Sequence, residues 1–473
     1  MLIRGTRGPL FNLVSLGSGE IVARAAGFVA TAIVARRLGA DAFGLLGFAA
    51  AAVGYFGVAL TAGFSDIAAS EVARRPSAAR RLAADATVVR LSIAICGIGV
   101  LTVAALVLVG SPVTRTVLLL TSMSLVPLAL DTTWAYRGLG RNHMSAIGLV
   151  TAQVVYLGGI LLLVRDPTHL YRVPVVLFVG EMLAAGLLFA LLFGTTISRP
   201  SLSSGLEILR RSGFSTIARL LRAVIVTFDV ILLGILATSR DVGLYTAAYR
   251  ICFLAATIAV ATHAVFLPAI THAAEGGEVP ISGVLRRSVS LTGTVMIPIV
   301  AGGVALAGPL LLLFFGPDYA DGTRAFQLLL LSIGLLSLHG TTHNVFLALH
   351  RTKQEAGIFA GGAVLNIILN LVLIPRYGLA GAAISTVSAE MLIVLASAWA
   401  LFALGVRPQL EGLIRPLFAS TAMVALLLLL SGRASVPLLV TAGAALYAGI
   451  LAVTGGLPEG FREPRSGTRD RIS

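Results

Sequence analysis

Apolar runs long enough to cross a membrane follow one another along the whole of this 473-residue chain, separated only by short polar breaks. A bilayer core takes about 20 helical residues to span. At that length the sequence predicts about fourteen helices, over residues 10–35, 42–66, 86–110, 113–137, 145–164, 172–194, 213–237, 242–268, 288–314, 322–348, 355–374, 378–402, 415–431 and 436–454. The composition requires the same class: an all-α integral membrane protein. The chain is 57% hydrophobic and 12% charged, with a mean hydropathy of +0.96, whereas a soluble domain carries about 25% charge.

Thirty-five basic residues against 21 acidic ones leave a net charge of +14. They are spread among the loops rather than gathered into a stripe, so they set topology instead of marking a nucleic-acid surface. With the N-terminus inside, 22 Lys and Arg fall on the cytoplasmic side, among them Arg74, Arg75, Arg80, Arg81, Arg210, Arg211, Arg286 and Arg287, and 9 fall outside. That asymmetry predicts a multi-pass protein with both termini in the cytoplasm. Arg36 and Arg37 run against it.

Lys353 is the only lysine. Its setting, "HRTKQE", lacks the Gly-Lys-Ser/Thr of a phosphate-binding loop, so the chain is not expected to hydrolyse ATP. Cys96 and Cys252 lie inside apolar spans and imply no disulfide. "VARA" at Val22–Ala25 resembles a signal-peptidase site, but the apolar run continues past it and Glu20 interrupts it. The first helix is therefore expected to stay uncleaved. No loop exceeds about 20 residues, too few for an extramembrane catalytic domain. No catalytic residue, resident metal or cofactor is expected.

The chain also repeats itself. "EMLAAGLLFALLF" from Glu181 matches "EMLIVLASAWALF" from Glu390 at an offset of 209, and "LGRNHMSA" from Leu139 pairs with "LHRTKQEA" from Leu349 at an offset of 210. These offsets carry helices 5 and 6 onto helices 11 and 12, which predicts two six-helix repeats of the same orientation. The expected domains are residues 1–200 and 201–410, one six-helix bundle each, two further transmembrane helices over 411–454, and a basic cytoplasmic tail over 455–473.

"RLGADAFG" from Arg37, "VGLYTAAYRI" from Val242, "LFFGPDYA" from Leu313 and "LVLIPRYGLAGAAISTVSAE" from Leu371 resemble hallmarks of the bacterial polysaccharide flippases of the multidrug/oligosaccharidyl-lipid/polysaccharide exporter superfamily. The resemblance runs over almost the whole chain. It implies two six-helix bundles around a V-shaped cavity, two extra C-terminal helices, and movement of undecaprenyl-diphosphate-linked sugars across the cytoplasmic membrane. Membrane lipids and the polymerase or glycosyltransferases of the same pathway are the implied partners, with no nucleic acid.

Charges inside the spans are the candidate site. Glu20 and Arg24 are four residues apart on one face of helix 1, a face continued by Gly27 and Thr31. Helix 7 carries Arg219, Arg222 and Asp229, and helix 8 carries Arg250. Intramembrane ionisable residues face a bundle interior or a water-filled cavity, and guanidinium suits a diphosphate because it binds phosphate bidentately and keeps its proton. The related peptidoglycan-precursor flippases are similar in placing Arg on helices 1 and 8, which Arg24 and Arg250 match by helix. The alternative is structural: Glu20 with Arg24, and Arg222 with Asp229, neutralise one another between helices.

Glu181 and Glu390, repeated in both halves, suit either a shared structural position or a coupling ion. His339, His343 and His350 share a stripe on helix 10, but Gly340 stands where a zinc protease pattern has Glu, so cavity lining or helix contact is expected. Asn366 and Asn370 are expected to bond across helices. Pro127 and Pro298 are expected to kink helices 4 and 9. Two other functions compete with lipid-linked oligosaccharide flipping by alternating access. A drug/cation antiporter of the same superfamily calls for an acidic cavity, and a polytopic glycosyltransferase or polymerase calls for a long external loop with catalytic residues.

Overall fold

The computed structural model describes the backbone of residues 9–61, 64–194, 200–276, 280–406 and 410–455. Of residues 9–18 and of Phe214, Ser215, Ile217, Ala218, Leu221, Arg222, Val224, Ile225 and Val226 only the backbone is described. Among these residues every regular element is helical. The chain divides into two compact units, Met1–Thr246 and Ala247–Ser473.

The first unit contains α1 (Pro9–Thr61), α2 (Phe64–Arg74), α3 (Ala79–Leu108), α4 (Pro112–Ser122), α5 (Leu125–Leu130), α6 (Thr133–Gly138), α7 (Asn142–Leu163), α8 (Arg172–Phe193) and α9 (Leu202–Leu236). The helix α10 (Ser239–Ala274) begins in it and continues into the second unit. There follow α11 (Ile281–Ala305), α12 (Ala307–Phe315), α13 (Thr323–Ala348), α14 (Thr352–Ala403), α15 (Ile414–Leu430) and α16 (Val436–Val453).

Eleven helical segments among the described residues are long and apolar enough to cross a membrane. Two of these are double. Gly39 (φ 78°) breaks α1 and Gly378 (φ 51°) breaks α14, each in the left-handed region that only glycine enters without penalty. With α9 the total reaches the fourteen expected. Large apolar side chains stand outward along these spans, as with Leu162 on α7, Trp399 on α14 and Phe418 on α15. That surface suits lipid rather than water.

The span predicted over 113–137 is three short helices, α4, α5 and α6. Pro127 falls in the first turn of α5, where its missing N–H is not needed. The carbonyls released at the end of α5 are taken up from α3: Arg90 donates to Leu128 O at 2.5 Å and to Asp131 O at 2.7 Å. Asp131 in turn accepts from Thr133 N at 3.1 Å and Thr133 Oγ1 at 2.7 Å, which starts α6. Pro298, by contrast, lies within a continuous α11.

Arginine performs the same service elsewhere. Arg37, one of the two residues that oppose the positive-inside trend, donates to Ile160 O at 3.1 Å, Leu161 O at 3.2 Å and Val164 O at the C-terminal end of α7. Arg172 caps Leu163 O at 2.9 Å and Arg115 caps Val109 O at 3.0 Å. Terminal carbonyls carry the negative end of the helix dipole, so a guanidinium there is doubly favourable.

Close helix approach holds α1 against the start of α10. A Cβ on Gly44 would stand 1.8 Å from Ser239 O, and one on Gly243 would stand 1.9 Å from Ala40 O. Both obstacles are backbone, so the helices must separate to admit even a methyl group. Small residues are the means by which helices pack without a hydrophobic drive in lipid. Gly44→Ala is expected to cost about 2–3 kcal/mol, read as a lowered thermal midpoint of the purified protein. Gly99, on α3 with nothing within 4 Å of its Cβ position, is the control. Its replacement by Ala is expected to be neutral or stabilising by up to about 1 kcal/mol, and equal costs at the two positions would refute the α1–α10 contact.

The duplication is visible in local geometry. Arg141 N donates to Tyr136 O at 2.8 Å, and Arg351 N donates to Phe346 O, also at 2.8 Å, 210 residues later. The intervening turn residues, Gly140 (φ 68°) and His350 (φ 55°), are both left-handed. Tyr136 and Leu192 belong to one buried cluster of the first unit, and Phe346 and Leu401, at offsets of 210 and 209, belong to one in the second.

Candidate functional site

The charges singled out in the sequence sit in different surroundings. Arg24 Nη2 and Glu20 Oε2 are 3.8 Å apart, beyond hydrogen-bond length, and their side chains are 45% and 38% exposed. They occupy the middle of the first half of α1, on a face that continues through Gly27 and Thr31, whose hydroxyl donates to Gly27 O at 2.8 Å. A Cβ on Gly27 would meet Gln153 Oε1 of α7 at 2.7 Å, so the small residue here admits a polar neighbour.

On α9 the three predicted residues part company. Arg219 is exposed and pairs with Asp66 of α2. Asp229 is buried and accepts a hydrogen bond from Tyr245 Oη at 2.8 Å, which ties α9 to α10 within the first unit. The side chain of Arg222 lies outside the described residues. Arg250 is exposed on the part of α10 that belongs to the second unit.

Glu181 on α8 is half-buried and Glu390 on α14 is buried. Asn370 Nδ2 donates to Asn366 Oδ1 at 3.0 Å, one turn earlier on the same helix. The helix 10 histidines meet an acid that the sequence pattern does not point to. His343 Nδ1 is 2.6 Å from Glu355 Oε1, and His339 Nε2 is 4.0 Å from the same oxygen.

Arg90 also escapes a reading by periodicity. It is a fully buried arginine, yet it stands near the end of a span where arginine is ordinary. Its partners, Leu128 O and Asp131 O, lie some forty residues away on a helix whose break only Pro127 announces.

Two open spaces lie within single units. In the second, α10, α11, α13, α15 and α16 enclose about 380 Å³ lined by apolar side chains and glycine, including Pro298, Phe326, Leu330 and Met423, with Tyr447 the one polar-tipped residue. In the first, a cleft of about 460 Å³ is lined by Glu71, Arg74 and Arg75 of α2 and its end, and by Ser204, Glu207 and Arg211 of α9. The unit thus offers exposed guanidinium groups on membrane-crossing helices, which can hold an anionic group, and the second unit offers an apolar recess.

Among known proteins, the curated relatives include a probable low-salt glycan biosynthesis flippase, Agl15, of Haloferax volcanii. It is 24% identical over 210 residues, 43% of this chain and 44% of that protein. The probable flippase AglR of the same organism is 28% identical over 219 residues, 44% and 45% of the two chains. The chain thus matches less than half the length of these curated relatives. In fold, it resembles the lipid II flippase MurJ in an inward closed conformation with a TM-score of 0.76 at 15% identity, over 93% of this chain and 98% of that one. An inward-facing multidrug resistance MATE family transporter of the MOP superfamily gives 0.66 at 15% identity, over 81% and 95%. The family model described as polysaccharide biosynthesis protein matches residues 10–273, and that described as lipid II flippase MurJ matches residues 143–454. Each covers more than half of the chain, which therefore belongs to the family described as polysaccharide biosynthesis protein and to that described as lipid II flippase MurJ.

Proposed function

We propose that this protein flips undecaprenyl-diphosphate-linked oligosaccharide across the cytoplasmic membrane for cell-surface polysaccharide synthesis, by alternating access and without altering the cargo chemically. The observation that carries the reading is Arg24. A charged side chain at the centre of a membrane-crossing helix is expensive against lipid, by about 3 kcal/mol or more, yet Arg24 is 45% exposed. In this reading the surface around Arg24 faces water inside the membrane, since a charge is retained there rather than against lipid, and a guanidinium in such a space suits a phosphate.

Arg219, exposed on α9 of the first unit, and Arg250, exposed on α10 in the second, are further guanidinium groups that suit an anion, each within its own unit. Glu20 orients Arg24, and Asp229 acts through Tyr245 to hold α9. Glu181 and Glu390 serve as matched structural positions in the two repeats or bind a coupling ion. The apolar recess lined by Phe326, Leu330 and Met423 suits a stretch of prenyl tail. The polymerase or glycosyltransferases of the pathway are the protein partners.

The orientation with both termini cytoplasmic rests on the 22-to-9 distribution of basic residues. The cleft that gathers Arg74, Arg75 and Arg211 fits that side. In vesicles containing the purified protein, a fluorescent undecaprenyl-diphosphate oligosaccharide is expected to reach the opposite leaflet faster than in protein-free vesicles, while a cationic dye is not moved. Dye transport without oligosaccharide transport would replace the proposal with the drug/cation antiporter reading.

A further inference from the structure

The turn from α13 to α14 brings together His339, His343 and Glu355, whose counterparts at an offset of 210, Ala129, Thr133 and Ser145, are neutral. Glu355 and His339 are buried, at 6% and 7% side-chain exposure, while His343 is 42% exposed. One carboxylate oxygen, Glu355 Oε1, thus lies 2.6 Å from an imidazole that reaches the surface and 4.0 Å from one that does not. A carboxylate removed from water needs a positive or donating partner, and histidine is the side chain that changes charge between about pH 5 and 8.

The repeat shows that the fold does not need these charges. At an offset of 210, His343 corresponds to Thr133 and Glu355 to Ser145. There the same two positions also touch, through Ser145 Oγ donating to Thr133 O at 3.0 Å. One contact has been built twice, once from hydroxyl and carbonyl and once from imidazole and carboxylate.

Hydroxyl groups, an aromatic ring and a further imidazole lie around the cluster, and Glu390 is buried two turns before Ser397 on α14. Ser397 Oγ on the second half of α14 and Thr342 Oγ1 on α13 each lie 3.4 Å from His339 Nδ1, and the Phe359 ring stands edge-on to His339 with centroids 4.7 Å apart. From α10 comes His263, whose Nε2 is 2.9 Å from Ser337 O and whose backbone O accepts from Asn344 Nδ2 at 2.8 Å. Packed on α13, α11 has its charges, Arg286 and Arg287, at its exposed first turns and no titratable residue from Ser288 to Ala305. The helix α12 has none. Asp318, Tyr319 and Asp321 lie at the opposite end of α13, and Arg351 and Lys353 are exposed at the start of α14.

We propose that His339, His343 and Glu355 form a proton-binding site, reached through His343, whose loading controls the transport cycle. Its existence is independent of the transport reading above, and only what it controls rests on that reading. With one proton on His343 the pair is an imidazolium facing a carboxylate, net neutral, and it clamps α13 to α14. Releasing that proton to water leaves a buried carboxylate without a counter-charge. Taking a second proton from water onto His339 leaves a net positive charge. Either change weakens the clamp.

The test is proton uptake by the full-length protein in lipid vesicles, titrated between about pH 8 and 5, for wild type, Glu355→Gln, and the double variant His343→Thr with Glu355→Ser. The double variant installs the neutral residue types of the first repeat and is expected to fold. Glu355→Gln removes the carboxylate that faces His343 at 2.6 Å and is expected to change the uptake by about one proton per chain over that range. An uptake curve that superposes on wild type would overturn the site. In the same vesicles, flipping of the lipid-linked oligosaccharide by wild type is expected to vary several-fold with pH, and by the double variant to proceed with a flat profile. A double variant that keeps the wild-type profile would overturn the control of transport. If wild type moves no oligosaccharide, the transport reading and its control fail together while the uptake curve still decides the site.

Discussion

Arg24→Ala is expected to lower the flipping rate about 10- to 100-fold at equal amounts of folded protein. A charge-assisted hydrogen bond is worth about 1.5–3 kcal/mol, and every 1.4 kcal/mol is about tenfold. Arg24→Lys keeps the charge but loses the planar fork, so its rate is expected between the two. The neighbouring Glu20, 3.8 Å away, supplies the decisive comparison. If Arg24 serves only to neutralise Glu20, then Arg24→Ala strands a carboxylate inside the membrane, and Glu20→Gln in the same chain should restore most of the rate. If Arg24 holds the phosphate, the double variant stays slow. Recovery in the double variant would leave the pair as a structural bridge.

Arg90→Leu is expected to destabilise the protein by about 3 kcal/mol, whatever its effect on transport. The guanidinium is buried and bridges Leu128 O and Asp131 O, so removing it leaves two carbonyls unsatisfied in a water-free interior. It also removes a positive charge beside the Asp131 carboxylate, which is engaged with Thr133. Arg90→Lys is expected to recover only part of the loss, because one ammonium on a flexible stem does not reproduce a planar bridge between two acceptors. The measurement is the thermal midpoint of purified protein in detergent, alongside its yield in membranes. A wild-type midpoint for Arg90→Leu would mean that the break between α5 and α6 holds without it.

These two arginines show what pattern reading picks out and what it passes over. Arg24 is conspicuous because it interrupts the centre of an apolar run, and the cost of charge in lipid makes such a residue a site candidate from the sequence alone. Arg90 is inconspicuous because it stands near a span end, where arginine has an ordinary topological meaning. The histidine stripe divides in the same way. Its spacing on helix 10 is legible, but Glu355 stands beyond a turn, and the stripe alone does not say which neighbour it faces.

What the sequence by itself determined is the number and placement of the membrane-crossing helices, the duplication, and the inventory of charges held within the spans. A bilayer imposes its own thickness and requires each segment to satisfy its backbone internally, so these features are written locally and can be read locally. Only the tertiary structure decided the partners: Tyr245 for Asp229, Asp66 for Arg219, Glu355 for His343, and the ends of α5 and α7 for Arg90 and Arg37. Helical period says which residues share a face, but which helix meets that face is set by the packing of small residues such as Gly44 and Gly243. Close approach of that kind depends on two distant segments at once, so neither segment shows it alone.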